Sequence, residues 1–197
     1  LRALHRRDRA RTVAFLPQSP AAPAGITAAD LVARGRYPHR RPWWKGGPVD
    51  GTVDRGAVED AMIATGTTDL SARDVTHLSG GQRQRVWLAL VLAQQAPILL
   101  LDEPTTYLDL PHQLDVLDLC AGLRESGRTV VAVLHDLNLA ARYATHLVAL
   151  RDGALVAAGA PADVVTADVV RTCFGLDCRV VDDPETATPL VVPRRRR

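Results

Sequence analysis

From Leu78 onward the apolar positions alternate between helix-spaced clusters and short continuous runs, the pattern of helices feeding the strands of a parallel α/β sheet. Val86, Leu88, Leu90, Val91 and Leu92 leave little of a helix over 83–95 polar, so an interior helix is predicted there. The four aliphatics Ile98 to Leu101 predict a strand buried on both faces. A helix over 111–124 closed by Gly127, a strand over 129–134 and a helix over 137–144 continue the alternation. Strand-like runs over 146–150 and 154–158 flank Arg151-Asp152-Gly153, a hairpin turn by composition. The remainder, helical over 161–174 and extended over 180–192, forms a small appendage.

The first third has a different texture. A basic stretch over 1–11 leads into a strand over 12–16, and Pro17, Pro20 and Pro23 then break regular structure. Thr27 with Asp30 is a capping pattern for a helix to Ala33, and 58–65 reads as another helix. Between them Pro42, Gly46, Gly47, Pro48 and Gly51 mark a loop. The chain thus divides into a helical part over 19–75, a sheet-and-helix part over 76–160 and an appendage over 161–197, all within one domain.

Composition narrows the class. The hydrophobic fraction of 47% with 23% charged residues belongs to an ordinary globular protein, and the longest apolar run, 86–93, is too short to cross a bilayer. No signal peptide precedes the domain, which predicts a cytoplasmic protein. A net charge of +2 does not suggest a nucleic-acid binder. Arg194 to Arg197 form a basic tail, either solvated or drawn weakly to anionic lipids. Cys120, Cys173 and Cys178 form neither an even disulfide set nor a Cys-x-x-Cys pair and read as packing residues.

Two motifs carry chemistry. In Leu78-Ser79-Gly80-Gly81-Gln82, Ser79 can accept from backbone amides two or three residues on, and the glycines let the chain approach a ligand at the positive end of the following helix dipole. That combination suits a phosphate. In Ile98-Leu99-Leu100-Leu101-Asp102-Glu103-Pro104, two acids stand at the carboxyl end of a buried strand, where ligands bind in such sheets. Asp102 is placed to hold Mg²⁺ directly or through water, and Glu103 to polarise an attacking water as general base.

Taken in order, these residues resemble the ATP-binding-cassette (ABC) transporter ATPases along nearly the whole chain. Leu78 to Gln82 is similar to the family signature, Ile98 to Asp102 to its Walker B strand, Glu103 to its catalytic carboxylate, and Tyr107-Leu108-Asp109 to its D-loop. Phe15-Leu16-Pro17-Gln18 resembles the Q-loop, which implies that Gln18 reaches the Mg²⁺ and senses the transporter. Leu134-His135-Asp136 resembles the H-loop, which implies that His135 contacts the γ-phosphate. The resemblance implies a P-loop NTPase-like fold with a helical subdomain, ATP and Mg²⁺ as ligands, and a homodimer in which Ser79, Gly80, Gly81 and Gln82 serve a nucleotide held by the second ATPase subunit. It further implies a membrane permease as partner, a periplasmic or lipid-anchored siderophore-binding protein as indirect partner, and a place on the cytoplasmic face of the membrane. Ala33-Arg34-Gly35-Arg36-Tyr37-Pro38-His39, Thr105-Thr106-Tyr107-Leu108-Asp109 and His135-Asp136-Leu137-Asn138-Leu139-Ala140 are similar to the iron(III)-siderophore, haem and cobalamin importers. Siderophore import is the preferred substrate. Arg34 to Trp44 is expected to dock a cytoplasmic helix of the permease.

One family element is absent from these residues. A Walker A loop needs Gly-x-x-x-x-Gly-Lys-Ser/Thr, and the single lysine, Lys45, lies between Trp44 and Gly46. With Leu1 in place of methionine, this predicts a chain truncated at its N-terminus, poor at binding ATP and inactive alone. Competing readings are a soluble ABC protein without a permease and a non-catalytic interaction fragment.

Overall fold

The computed structural model describes residues 4–18, 20–21, 24–39 and 51–195, with 51–53 as backbone only. It divides into two compact units, Leu1–Val133 and Leu134–Arg197. That boundary falls inside the 76–160 region, not at the divisions expected from composition. Lys45, Trp43, Trp44 and the last two tail arginines lie outside the described residues.

In the first unit, β1 (Val13–Leu16), β2 (Ile98–Asp102) and β3 (Thr129–Val133) form a parallel sheet in that order. Ala14 pairs with Leu99 and Leu16 with Leu101, which in turn pairs with Ala132. These residues look toward α4 (Gly80–Ala93) and α5 (Leu110–Glu125), sharing a core with Val86, Ala89 and Val116. The other face is open: Phe15 is 57% exposed, Val131 53% and Val133 51%. The expectation of a strand buried on both faces is corrected here, since β2 alternates buried Leu99 and Leu101 with half-buried Ile98 and Leu100. Among the described residues of the first unit, helices cover one face only.

Two helices pack against α4. Thr27 caps α2 (Ala28–Ala33) by accepting from the Asp30 amide at 3.1 Å, as the capping pattern predicts. α3 (Gly51–Ala64) starts well before residue 58, because Ala57, Ala61 and Met62 bury at helical spacing against α4 and outweigh the weak propensity of Gly51 and Gly56. α1 (Arg6–Thr12) occupies the basic stretch expected only as a bridge.

The segment following α2 is an anchor. A Cβ on Gly35 would stand 2.3 Å from the Leu90 carbonyl oxygen, so no larger residue allows this approach to α4. Arg36, only 3% exposed, donates from Nη1 to the Ala93 carbonyl at 2.8 Å and from Nε to Asp54 at 2.9 Å. His39 Nε2 lies 2.8 Å from the Gln94 carbonyl, and the Gln94 amide donates to the carbonyls of Val13 and Ala10. The carbonyls of Ala93 and Gln94 at the end of α4 are thereby satisfied. Arg34 and Tyr37 remain exposed; the other described residues of the expected docking loop are committed to this anchor.

The second unit joins α6 (Leu137–Tyr143), the hairpin β4 (Leu147–Arg151) and β5 (Ala154–Gly159), α7 (Pro161–Val164), α8 (Ala167–Phe174) and the hairpin β6 (Cys178–Asp182) and β7 (Pro189–Pro193). The first hairpin turns through Asp152 at φ 50° and Gly153 at φ 77°, the left-handed pair its composition predicts. Ala141, Val165, Val170, Cys178 and Val191 form its core. The Asn138 side chain bonds both backbone groups of Val191, at 2.7 and 3.3 Å, fixing α6 to β7. Arg142 reaches Asp183 at 2.5 Å. Residues 161–197 are therefore continuous in packing with the helix and hairpin before them. No helix among the described residues is long and apolar enough to cross a membrane.

Candidate functional site

Ser79 opens α4 with a reciprocal cap: its Oγ accepts from the Gln82 amide at 3.2 Å, and its own amide donates to Gln82 Oε1 at 3.1 Å. This closes the turn while leaving the amides of Gly80 and Gly81 outward at the positive end of a fourteen-residue helix. The glycines also permit a close approach within the protein. A Cβ on Gly81 would lie 3.1 Å from both the Tyr107 carbonyl oxygen and Leu108 Cδ2, and one on Gly80 3.4 Å from Tyr107 Cβ. The loop after β2 therefore lies directly on the glycine turn.

That loop turns sharply. Glu103 and Tyr107 both adopt left-handed backbone conformations, φ 51° and 67°, each costing about 1–3 kcal/mol. Nearby bonds offset the strain at Glu103. Thr106 Oγ1 donates to Glu103 Oε2 at 3.0 Å, and buried Gln84 donates from Nε2 to the carbonyls of Pro104 and Glu103 at 3.4 and 3.5 Å. Gln84 lies one turn beyond the glycines, so α4 positions both the turn and the acidic loop. Asp109 then caps α5 by accepting from the His112 amide at 3.4 Å, and Gln113 holds the Leu108 carbonyl at 2.9 Å.

Ser79, Gly80, Gly81, Gln82, Arg85, Tyr107, Leu108, Asp109 and His112 line one open cleft of about 580 Å³. The residues of the glycine turn and Asp109, far apart in sequence, thus share a surface. Asp102, Glu103 and Gln18 are not on that cleft; they stand at the carboxyl end of the sheet, Asp102 ending β2 and Gln18 two residues beyond β1. The oxygen donors offered by Asp102 and Gln18 suit Mg²⁺, which takes one or two protein oxygens and fills its shell with phosphate and water. His135 follows β3 by two residues, is exposed, and opens the second unit; Asp136 beside it caps α6 through the amides of Asn138 and Leu139. Gln84, Thr106 and His112 were not singled out by sequence. The spacing of Gln84 one turn from the glycines and the position of Thr106 three residues after Glu103 were the available signals.

The sequence profile described as ABC transporter matches residues 2–106. The ferric enterobactin transport ATP-binding protein FepC of Escherichia coli (strain K12) is 53% identical over 191 residues, which cover 95% of this chain and 68% of FepC. Among solved structures, a metal-chelate type ABC transporter in an inward-facing conformation aligns with a TM-score of 0.79 at 28% identity, covering 93% of this chain and 73% of that one. The dimeric ATP-binding cassette MJ0796, bound to ADP and Pi, aligns with a TM-score of 0.68 at 27% identity over 78% of this chain and 65% of that one.

Proposed function

Since this chain belongs to the ABC transporter family of ATP-binding proteins, we propose that it is the ATP-binding subunit of an importer of iron(III)-siderophore complexes, acting at the cytoplasmic face of the membrane beside a permease. The single observation that carries this reading is the cleft in which the capped glycine turn meets Tyr107 and Asp109. Its outward amides suit the terminal phosphate of a nucleotide supported from elsewhere, because these 197 residues contain no Gly-x-x-x-x-Gly-Lys-Ser/Thr loop to cradle one themselves. The cleft is one half of a composite site, the other half being the phosphate loop of an opposing subunit. MJ0796, a dimeric cassette, supports that arrangement. FepC supports the iron-chelate substrate, and the metal-chelate type transporter supports a metal chelate more broadly.

Within the subunit, Glu103 takes a proton from the attacking water, its carboxylate held in place by Thr106 and its backbone by Gln84. Asp102 and Gln18 would hold Mg²⁺, which supplies charge neutralisation at the phosphates. His135, beyond the carboxyl end of β3, meets the γ-phosphate, and Asp109 keeps the loop beside the glycine turn in register by capping α5. A siderophore-binding protein outside the membrane delivers substrate to the permease and does not touch this subunit.

The test is association with an intact relative. Purified FepC, an ATP-binding protein, serves as the opposing subunit, and sedimentation with Mg²⁺ and a non-hydrolysable ATP analogue should show a mixed dimer with this chain that is absent without nucleotide. Ser79→Arg, which fills the cleft, should abolish it. A mixed dimer indifferent to both nucleotide and Ser79→Arg would reject the reading.

A further inference from the structure

Most polar groups lining the cleft are already occupied. Ser79 and Gln82 bond each other, Asp109 accepts from the His112 amide, and Arg85 Nη1 donates to the carbonyls of Gly66 and Thr65 at 3.0 and 3.4 Å. The His112 imidazole is different. Its Nδ1 lies 3.2 Å from Asp115 Oδ2, one turn further along α5, and Asp115 does not line the cleft. Its Nε2 makes no hydrogen bond among the described residues, and its side chain is 42% exposed. A carboxylate that holds one ring nitrogen fixes the ring's orientation and leaves the other nitrogen to a ligand. The charged and titratable groups around it are Asp115 on α5, Asp109 before that helix, Tyr107 in the preceding loop and Arg85 on α4.

We propose that His112 is a nucleotide-contacting residue of the composite site, acting as an imidazolium that donates from Nδ1 to its positioning residue Asp115 and from Nε2 to the phosphate chain of the nucleoside triphosphate held by the opposing subunit. The inference rests on the reading of the cleft as a nucleotide site. Two observations carry it: the imidazole shares the cleft with the glycine turn that would meet the same phosphates, and its Nδ1 is held by a carboxylate that does not line that cleft, which leaves Nε2 for a ligand. A charge-assisted hydrogen bond to phosphate is among the stronger polar contacts. It gives the second wall of the cleft a part in recognising the triphosphate.

The experiment measures the dissociation constant of the mixed dimer with FepC, using Mg²⁺ and the non-hydrolysable ATP analogue as probe. His112→Ala should weaken nucleotide-dependent association on the order of tenfold, and His112→Lys, which restores a cationic donor, should recover most of it. Asp115→Asn should give an intermediate loss. Unchanged association in His112→Ala overturns the proposal, as does equal weakening in the Ala and Lys variants, which would mark His112 as structural. Ser79→Arg separates the two levels. If it abolishes association while His112→Ala does not weaken it, the nucleotide cleft stands and His112 has no part in it; if Ser79→Arg has no effect, the reading of the cleft itself fails and the proposal with it. Thermal unfolding of each variant at the parent's midpoint establishes that the fold is retained.

Discussion

Arg36 Nη1 donates to the carbonyl of Ala93 at 2.8 Å, so a buried guanidinium from the segment after α2 closes the C-terminal end of the helix that begins at Ser79. The same guanidinium pairs with Asp54 and Gln95. Removing it takes one donor from a mostly buried carboxylate and one from a helix-end carbonyl. Arg36→Met is therefore expected to destabilise the first unit by about 3 kcal/mol, read as a lower urea midpoint at unchanged slope. A loss below about 0.5 kcal/mol would show that water replaces the guanidinium without penalty.

Backbone geometry gives a pair of opposite expectations. Gly35→Ala places a methyl against the Leu90 carbonyl, which belongs to a packed helix and cannot yield, so a loss of about 2 kcal/mol is expected. Tyr107, by contrast, carries a left-handed backbone with its side chain 69% exposed. Tyr107→Asn should raise stability by about 0.5–1 kcal/mol, since asparagine tolerates that conformation. Differential scanning calorimetry distinguishes the two by the sign of the shift.

Hydrolysis is best tested in a chimera that places a segment bearing Gly-x-x-x-x-Gly-Lys-Ser/Thr before residue 1. Glu103→Gln keeps the shape and the Thr106 contact but cannot take a proton, so turnover should fall by about 10²–10⁴-fold with nucleotide affinity retained. Undiminished steady-state phosphate release would remove Glu103 from the base role.

Acid should act on the second unit through Asp183. The Arg142 side chain, with the Glu185 and Thr186 amides, holds its carboxyl below the usual carboxylate range. Because the folded value is lower than the unfolded one, the contribution is complete above about pH 4 and is lost as the pH falls through the folded value. Asp183→Asn should lower stability at neutral pH and flatten the acid limb of the unfolding curve. An acid limb of unchanged steepness would assign that transition to other carboxylates.

The sheet and its flanking helices were legible because their signals are local. The aliphatic run at Ile98 to Leu101, the capping pattern at Thr27 and the Asp152-Gly153 turn each specify geometry within a few residues. Arg36 was not legible as an anchor, because the basic and aromatic stretch 34–44 reads as a docking loop until tertiary structure brings Asp54 and Ala93 to its guanidinium. Gln84 and His112 were hidden for the same reason: each acts on a loop or cleft assembled from separate stretches of chain. Which face of the sheet is open was not legible at Ile98 to Leu101, since four successive aliphatics cannot report which side a helix covers.

α4 is fastened at both extremities. Fourteen residues at 1.5 Å each make a rod about 21 Å long, gripped at one end by the Gly81–Leu108 contact and at the other by Arg36, His39 and the Gln94 amide. Close-packed interiors transmit displacement rather than absorb it. A tilt imposed where exposed Tyr37 sits is therefore expected to reach the serine and glycines at the far end.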